Sequence, residues 1–323
     1  MPTQADTNPF PYSDSNKRYY SYDYFLRQKF GTKCAKLPLD GGFTCPNRDG
    51  TRGVGGCIYC SARGSGDFCS DASVSIENQL SEALARLSKK WESPKCIAYF
   101  QAFTNTYAPL SVLREKYEAA LKFPGVVGLS VATRADCLPN DVCEYLAELA
   151  ERTFLTVELG LQTVHDSTAS YINRGHTFAE FVAGYNKLRR ASNMINISVH
   201  LINGLPHETT DMMLESAHTV AKLAPDQLKL HLMHVIDGTP LASIYRRGEF
   251  ECLTLDEYAD TVVRQLEIMP ETTVIGRLTG DGAADTLIAP EWSKKKLVVM
   301  NTIDKLMYSR GTWQGRLADK TDK

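Results

Sequence analysis

The sequence predicts an α/β protein built on a partial (β/α)6 barrel of the TIM type, with an N-terminal and a C-terminal extension. Three observations carry this expectation. From Lys33 onward, short apolar runs rich in β-branched and aromatic residues alternate with stretches of helical periodicity, as expected of strand-helix units around a parallel sheet. Six such units can be counted between residues 33 and 240. The length of 323 residues suits one large α/β core with terminal additions. Six right-handed units are too few to close an eight-stranded barrel. A curved, partly open barrel is therefore expected, admitting a large substrate from the side and gathering ligands at the C-terminal ends of its strands.

In chain order, residues 1–32 form the N-terminal extension. Its start, Met1 to Asn16, is polar and lacks the basic and apolar regions of a signal peptide, and Tyr19, Tyr20, Tyr22 and Tyr24 follow. The core spans residues 33–240. Its strand candidates are Cys34 to Pro38, Cys96 to Gln101, Val126 to Ala132, Phe154 to Gly160, Asn196 to Ile202 and Gln227 to Val235. Between the first three, Leu80, Leu84, Leu87 and Trp91 fall at helical spacing, as do Leu110, Leu113, Tyr117 and Leu121. Pro109, Ser111 and Pro139 sit near helix starts, where a missing N–H is tolerated and a hydroxyl can cap. Residues 241–323 form the C-terminal extension expected to pack on the barrel.

Composition narrows the function classes. Hydrophobic residues make up 43% and charged residues 23%, ordinary for a globular protein, and no apolar run approaches the roughly 18 residues of a membrane span. A cytoplasmic protein with no membrane partner is expected. The formal net charge of -2 and a pI near 6.4 provide no global basic field, so any nucleic-acid contact must come from local patches. Nine cysteines in a reducing compartment point to metal ligands or buried thiols rather than disulfides.

The chemistry concentrates after the first strand, where a Gly-rich loop carries Cys45, Cys57 and Cys60 in the spacing C-x11-C-x2-C. Three thiolates on one loop can ligate three irons of a [4Fe-4S] cubane and leave the fourth iron open to a small molecule. The glycines permit the unusual dihedrals and inward N–H groups that such a loop needs. A structural zinc knuckle completed by Cys69 or a histidine is the competing reading. The loop's position straight after the first strand, at the catalytic rim, favours the cluster. Tyr59, between the last two cysteines, suits packing on a planar ring. Cys34, Cys96, Cys143 and Cys252 read as core thiols, while Cys69 and Cys137 lie near the catalytic side and leave a resolving or hydrogen-donating thiol open.

The loop, the strand series and several strand-end motifs together resemble the radical S-adenosylmethionine superfamily. Val157-Glu158-Leu159-Gly160-Leu161-Gln162, Asn173-Arg174-Gly175-His176-Thr177 and His200-Leu201-Ile202-Asn203-Gly204-Leu205-Pro206 look like the branch containing the elongator catalytic subunit and the oxygen-independent coproporphyrinogen dehydrogenase. More narrowly, Phe100 to Tyr107, Ala132-Thr133-Arg134, Arg277-Leu278-Thr279-Gly280 and Trp313-Gln314-Gly315 resemble the YhcC/YtqA-type family.

That resemblance implies a [4Fe-4S] cluster on Cys45, Cys57 and Cys60 and S-adenosyl-L-methionine as cofactors. Gln101 to Asn105 stands where the superfamily usually places paired glycines for the methionine amino group, so Gln101 and Thr104 are expected to supply the acceptors. Thr133, Gln162, Arg174 and His200 match polar residues around the ribose and carboxylate, and the Arg174 fork suits a bidentate carboxylate contact. Against these stand plainer roles: a helix cap for Gln162, a surface charge for Arg174 and a core histidine for His200. The resemblance further implies a reducing partner such as flavodoxin or ferredoxin, and a transfer RNA whose wobble uridine is modified from carboxymethylaminomethyl to aminomethyl. Basic groups beside aromatics, Lys17-Arg18 before Tyr19-Tyr20, Arg246-Arg247 beside Tyr245 and Lys294 to Lys296 beside Trp292, are candidate RNA contacts or simply solvated faces. An acetyl-transferring activity is not expected, because no separate acetyl-coenzyme A domain fits after residue 240. A radical dehydrogenase of a tetrapyrrole, or a zinc-stabilised binding module without catalysis, is the alternative.

Overall fold

The structure, a computed structural model, describes residues 10, 12, 15–88, 95–280, 282 and 285–318. Trp91 and most of the Met1 to Asn16 segment lie outside the described residues. In chain order the elements are α1 (Tyr22–Phe30), β1 (Cys34–Leu39), α2 (Ile76–Ser88), β2 (Lys95–Phe100), α3 (Leu110–Leu121), β3 (Val126–Thr133), α4 (Asn140–Arg152), β4 (Phe154–Gln162), α5 (Asp166–Tyr171), α6 (Phe178–Ala191), β5 (Asn196–Asn203), α7 (Thr210–Lys222), β6 (Gln227–Leu232), β7 (Val235–Ile236), α8 (Pro240–Arg246), α9 (Leu255–Ile268), β8 (Val274–Arg277), β9 (Leu287–Ala289), a 3-10 turn (Glu291–Lys294) and α10 (Lys296–Ser309).

Seven strands form one sheet in the order β1-β2-β3-β4-β5-β6-β8, every neighbouring pair parallel. It curls into a half-barrel. The six strands expected from the sequence are present, and a seventh, β8, comes from within the segment read as an extension. The last expected strand is shorter than Gln227 to Val235: it ends at Leu232, and Val235–Ile236 pairs antiparallel with Leu287–Ala289 instead.

Period-two alternation sets which side chains face inward. On β4, Leu155, Val157, Leu159 and Leu161 belong to the core between sheet and helices, which leaves Glu158, Gly160 and Gln162 for the barrel interior, where all three line a cavity. On β6, Leu228, Leu230 and Leu232 point to the helices, and Lys229 and His231 point inward. Each fully buried leucine stabilises the fold by roughly 1.5–3 kcal/mol. The helical layer therefore carries the stability, which frees the interior for polar groups.

The open side between β1 and β8 is bridged by the N-terminal segment. Ser21 pairs with Ile275 alongside β8, and the Ile275 amide donates to the Tyr20 carbonyl at 2.7 Å. Gln314, fully buried, ties both ends of the chain together. Its side chain accepts from the Tyr20 amide at 2.8 Å and donates to the carbonyls of Pro270 and Thr273 at 2.7 and 2.8 Å.

Candidate active site

The three cysteines sit on a loop whose shape is imposed by hydrogen bonds to a second segment at residues 172 and 173. The Asn173 side chain donates to the Gly56 carbonyl at 2.8 Å and to that of Val54 at 3.2 Å. The Ile58 amide donates to the Ile172 carbonyl at 3.0 Å. Asn47 donates to the Asn173 carbonyl and places its amide 3.9 Å from the Cys57 sulfur. Gly175, at φ +78°, leaves no room for a Cβ, which would lie 2.4 Å from Asn47 Oδ1. Only glycine fits there.

Cys45, Cys57 and Cys60 all line one cavity of about 200 Å³. Burial, then the charge of Cys60, pushes the Cys57 thiol up to about 12, and burial raises Cys60 against the lowering effect of Arg48. Crowded thiolates of this kind call for a compensating metal charge. Among the described residues, no three His, Cys, Asp or Glu side chains are already drawn together as a metal site. A donor set of three thiols with an N–H turned to one sulfur suits a polynuclear iron cluster.

All ten residues singled out from the sequence line this cavity: the three cysteines, Tyr59, Gln101, Thr104, Thr133, Gln162, Arg174 and His200. They come from the loops or ends of five strands. Gln162 adopts φ +71° at a bulge where the β4-β5 register shifts, and its amide end lies close over Gly160, where a Cβ would stand 2.8 Å from Gln162 Nε2. It does not cap the next helix, whose cap position is His165. Gln101 donates to the Ser65 carbonyl at 2.8 Å, and the Thr133 hydroxyl lies 2.5 Å from that of Thr106. Tyr59 hydrogen-bonds Cys57 and packs on a small apolar cluster around Leu241 and Val235.

Arg174 departs from its expected role. It is 2% exposed, and its guanidinium donates to the carbonyls of Leu161 at 2.5 Å, Thr163 at 2.6 Å and His176 at 2.8 and 3.0 Å, with Asp166 at 3.5 Å. All five N–H groups are thus engaged. A bidentate grip on a ligand carboxylate would require breaking them, so Arg174 braces the cage instead. Arg134 extends the brace, donating to the carbonyls of Arg174 and Gly175 at 2.6 and 3.1 Å.

His200 also has a partner that sequence reasoning missed. Its Nε2 lies 3.0 Å from Glu158, and burial, then the Lys229 charge, lowers its pKa to about 4. Glu158 is 1% exposed. It accepts from Lys229 at 2.5 Å, from Ser130 at 2.7 Å and from Lys36. Although burial opposes ionisation, the Lys229 and Lys36 cations hold its carboxyl well below the usual range. The signal was available in Leu228-Lys229-Leu230-His231, where polar residues alternate with core leucines.

Cys69 and Cys137 line neither this cavity nor the larger one of about 540 Å³ that adjoins it. Burial first, then a nearby aspartate, pushes each thiol up to about 12, the behaviour of core thiols. The candidate RNA patches are also engaged internally. Lys17 pairs with Asp304, Arg246 with Asp237 and Arg247 with Glu249, while the Trp292 N–H donates to the Leu253 carbonyl at 3.1 Å. Tyr19 is buried. Tyr19 and Trp292 thus serve the fold.

Comparison with known proteins decides the family. Residues 45–220 match the Radical SAM superfamily and residues 225–309 its Radical_SAM C-terminal domain. The chain belongs to the radical SAM superfamily. It is 50% identical to the uncharacterized protein YtqA of Bacillus subtilis over 316 residues, 98% of each chain. Over 166 residues, half of this chain and 30% of the other, it is 27% identical to the tRNA uridine(34) acetyltransferase of Methanocaldococcus infernus. The structure of the Methanocaldococcus infernus Elp3 shares the fold, with a TM-score of 0.64 and 18% identity over 87% of this chain and 64% of that one. This radical SAM protein accordingly uses the superfamily's [4Fe-4S] cluster and S-adenosylmethionine. Among the described residues no helix is long and apolar enough to cross a membrane.

Proposed function

We propose that Cys45, Cys57 and Cys60 hold the cluster and that the enzyme modifies the wobble uridine of transfer RNA, taking a carboxymethylaminomethyl group to aminomethyl. The observation that carries the first half is the convergence of all three thiols and seven further candidate residues on one cavity wall. The second half draws on the likeness to a tRNA uridine(34) acetyltransferase across half of the chain.

When bound, the cluster and S-adenosylmethionine supply a 5'-deoxyadenosyl radical. The protein's share is positional. Asn47 directs an N–H at the Cys57 sulfur, and Gln101, Thr104, Thr133 and Gln162 present polar atoms from the strand ends for the methionine and ribose. The apolar cluster behind Tyr59 keeps water from that wall. Phe68, 47% exposed and on the lining of the larger cavity, offers a face on which a splayed anticodon base can stack. The carbon to be attacked is the glycine-like carbon of the substituent. A reduced flavodoxin or ferredoxin is the expected electron source.

Mass-spectrometric comparison of tRNA nucleosides from cells with and without the gene tests the substrate. Loss of aminomethyl-type wobble uridine with accumulation of the carboxymethylaminomethyl form is expected. An unchanged profile removes the RNA reading, and anaerobic protein free of iron and sulfide removes the cluster assignment.

A further inference from the structure

Two neighbouring residues of the cysteine loop each direct a donor at one of its thiols, and the two donors differ in charge. Asn47 turns a neutral N–H to the Cys57 sulfur at 3.9 Å. Arg48 turns a cation to Cys60. Its guanidinium hydrogen-bonds that thiol, and its charge favours the thiolate more than Asp67 opposes it. Arg48 lines the same cavity as the three cysteines.

The side chain is held in that place by the loop itself. Its guanidinium donates to the carbonyls of Ser61 at 2.5 Å, Ala62 at 3.2 Å and Cys60 at 3.5 Å, so the fork spans the turn that begins at the third cysteine. Gly56, at φ +79°, leaves the space it occupies, since a Cβ there would stand 2.8 Å from Arg48 Nε. The Phe103 ring packs against it, 5.3 Å from centroid to Cζ. Two other arginines act on Cys57, and both have a carboxylate of their own. Arg134 pairs with Asp136 through two contacts at 2.9 and 2.8 Å, and Arg174 has Asp166 at 3.5 Å. Among the described residues Arg48 forms no ion pair, its N–H groups going to carbonyls.

Reduction adds negative charge to a cluster already ringed by three thiolates, and net charge and hydrogen bonds at the sulfurs set its potential. A cation beside one sulfur lowers the cost of that added charge. Arg48 is half-buried, so solvent screens the effect without abolishing it. We propose that Arg48, through its guanidinium at Cys60, raises the reduction potential of the cluster and so sets how readily a low-potential electron-transfer protein can fill it. One electron passes from the reduced donor to the cluster, and no atom moves with it. The role rests on the three-cysteine cage and concerns its electron supply.

The test is a potentiometric titration of anaerobically prepared holoenzyme, with the reduced cluster read by electron paramagnetic resonance and iron and sulfide counted on the same sample. Arg48→Met should lower the ratio of reduced to oxidised cluster at a fixed solution potential at least tenfold, about 59 mV for one electron. Arg48→Lys keeps the charge and loses the planar fork across three carbonyls; its ratio should stay within threefold of wild type although its melting temperature falls as in Arg48→Met. Should Arg48→Met fail to hold iron, Arg48→Gln keeps an N–H for the carbonyls and carries the same tenfold criterion. A fully loaded Arg48→Met or Arg48→Gln within threefold of wild type overturns the role. So does an Arg48→Lys ratio that falls as far as that of Arg48→Met, which would assign the effect to loop geometry. Wild-type protein without iron and sulfide removes the cage itself, whereas loaded proteins of equal potential leave the cage standing and remove only the part given to Arg48.

Discussion

At the rim of the barrel Arg174 spends its guanidinium on the backbone carbonyls of Leu161, Thr163 and His176, whereas inside the barrel Lys36 and Lys229 converge on the single side chain of Glu158. The rim is main chain held by side chains, and its form depends on glycines and on one arginine that donates to four acceptors. The interior is side chain held by side chain, fixed on strands that the apolar core already positions. A cage for a rigid cluster needs exact backbone placement, which the first arrangement supplies.

The largest effect expected from breaking either region belongs to the cage itself. Cys57→Ser should lower 5'-deoxyadenosine formation by at least about a thousandfold, roughly 4 kcal/mol of barrier, and bleach the cluster's visible absorbance. Thermal stability of the apo-protein should hardly move, since a serine hydroxyl can still accept from Asn47 and Tyr59. Retained absorbance with full activity would show that the thiol is not a ligand.

The interior should respond the opposite way. Glu158→Ala leaves Lys36 and Lys229 without their counter-charge, a change of the class that costs about 3–5 kcal/mol. Chemical denaturation is the readout, and a loss below about 1 kcal/mol would mean that the lysines shed their charge or find water. Iron content per folded molecule should stay at the wild-type level, because no rim bond passes through Glu158.

Arg174→Met sharpens the contrast, since it separates a brace from a ligand contact. The variant leaves buried carbonyls at Leu161, Thr163 and His176 unpaired at about 1–3 kcal/mol each, partly relieved by water, so a net loss of about 2–4 kcal/mol is expected together with lower iron retention. Had Arg174 gripped the methionine carboxylate, stability would hold and only S-adenosylmethionine affinity would fall. Measuring both quantities on one preparation distinguishes the two.

The two regions also differ in how much of them could be read in advance. Cys45, Cys57 and Cys60 announce themselves by spacing, and the parallel strands by runs such as Leu155 to Leu161, whose alternation is visible to the eye. The strand β8 was missed because Val274-Ile275-Gly276-Arg277 is four residues long, contains a glycine and has no neighbour in sequence that shows its pairing. Arg174 was placed correctly on the cavity wall yet given the wrong partner, because sequence shows a donor's chemistry but not which carbonyls a turn brings within reach. Glu158, Lys36 and Lys229 lie 71 to 193 residues apart in pairs that only the sheet order joins, and each alone reads as an isolated charge on a strand. Motifs report what is local; a charge cluster built from three strands is not.

Acid pH probes both regions at once, and the change expected per residue is the smallest. His176 at the rim is driven to about 3 by burial, Arg174 and Arg134, and His200 in the interior to about 4 by burial and Lys229. Both values lie below the unfolded value near 6.5. The folded protein therefore keeps each ring neutral while the unfolded chain takes up a proton, so stability present above about pH 6.5 is lost as pH falls towards the folded values. Between pH 7 and pH 5 each histidine should account for about 2 kcal/mol of lost stability. Denaturation of His176→Gln and His200→Gln at the two pH values reads this directly, each variant shrinking the pH 7 to pH 5 difference by that amount. If only His200→Gln does so, the rim histidine has a proton-sharing route through Asp136, 4.0 Å from its Nδ1, and the brace is more polar than its buried carbonyls suggest.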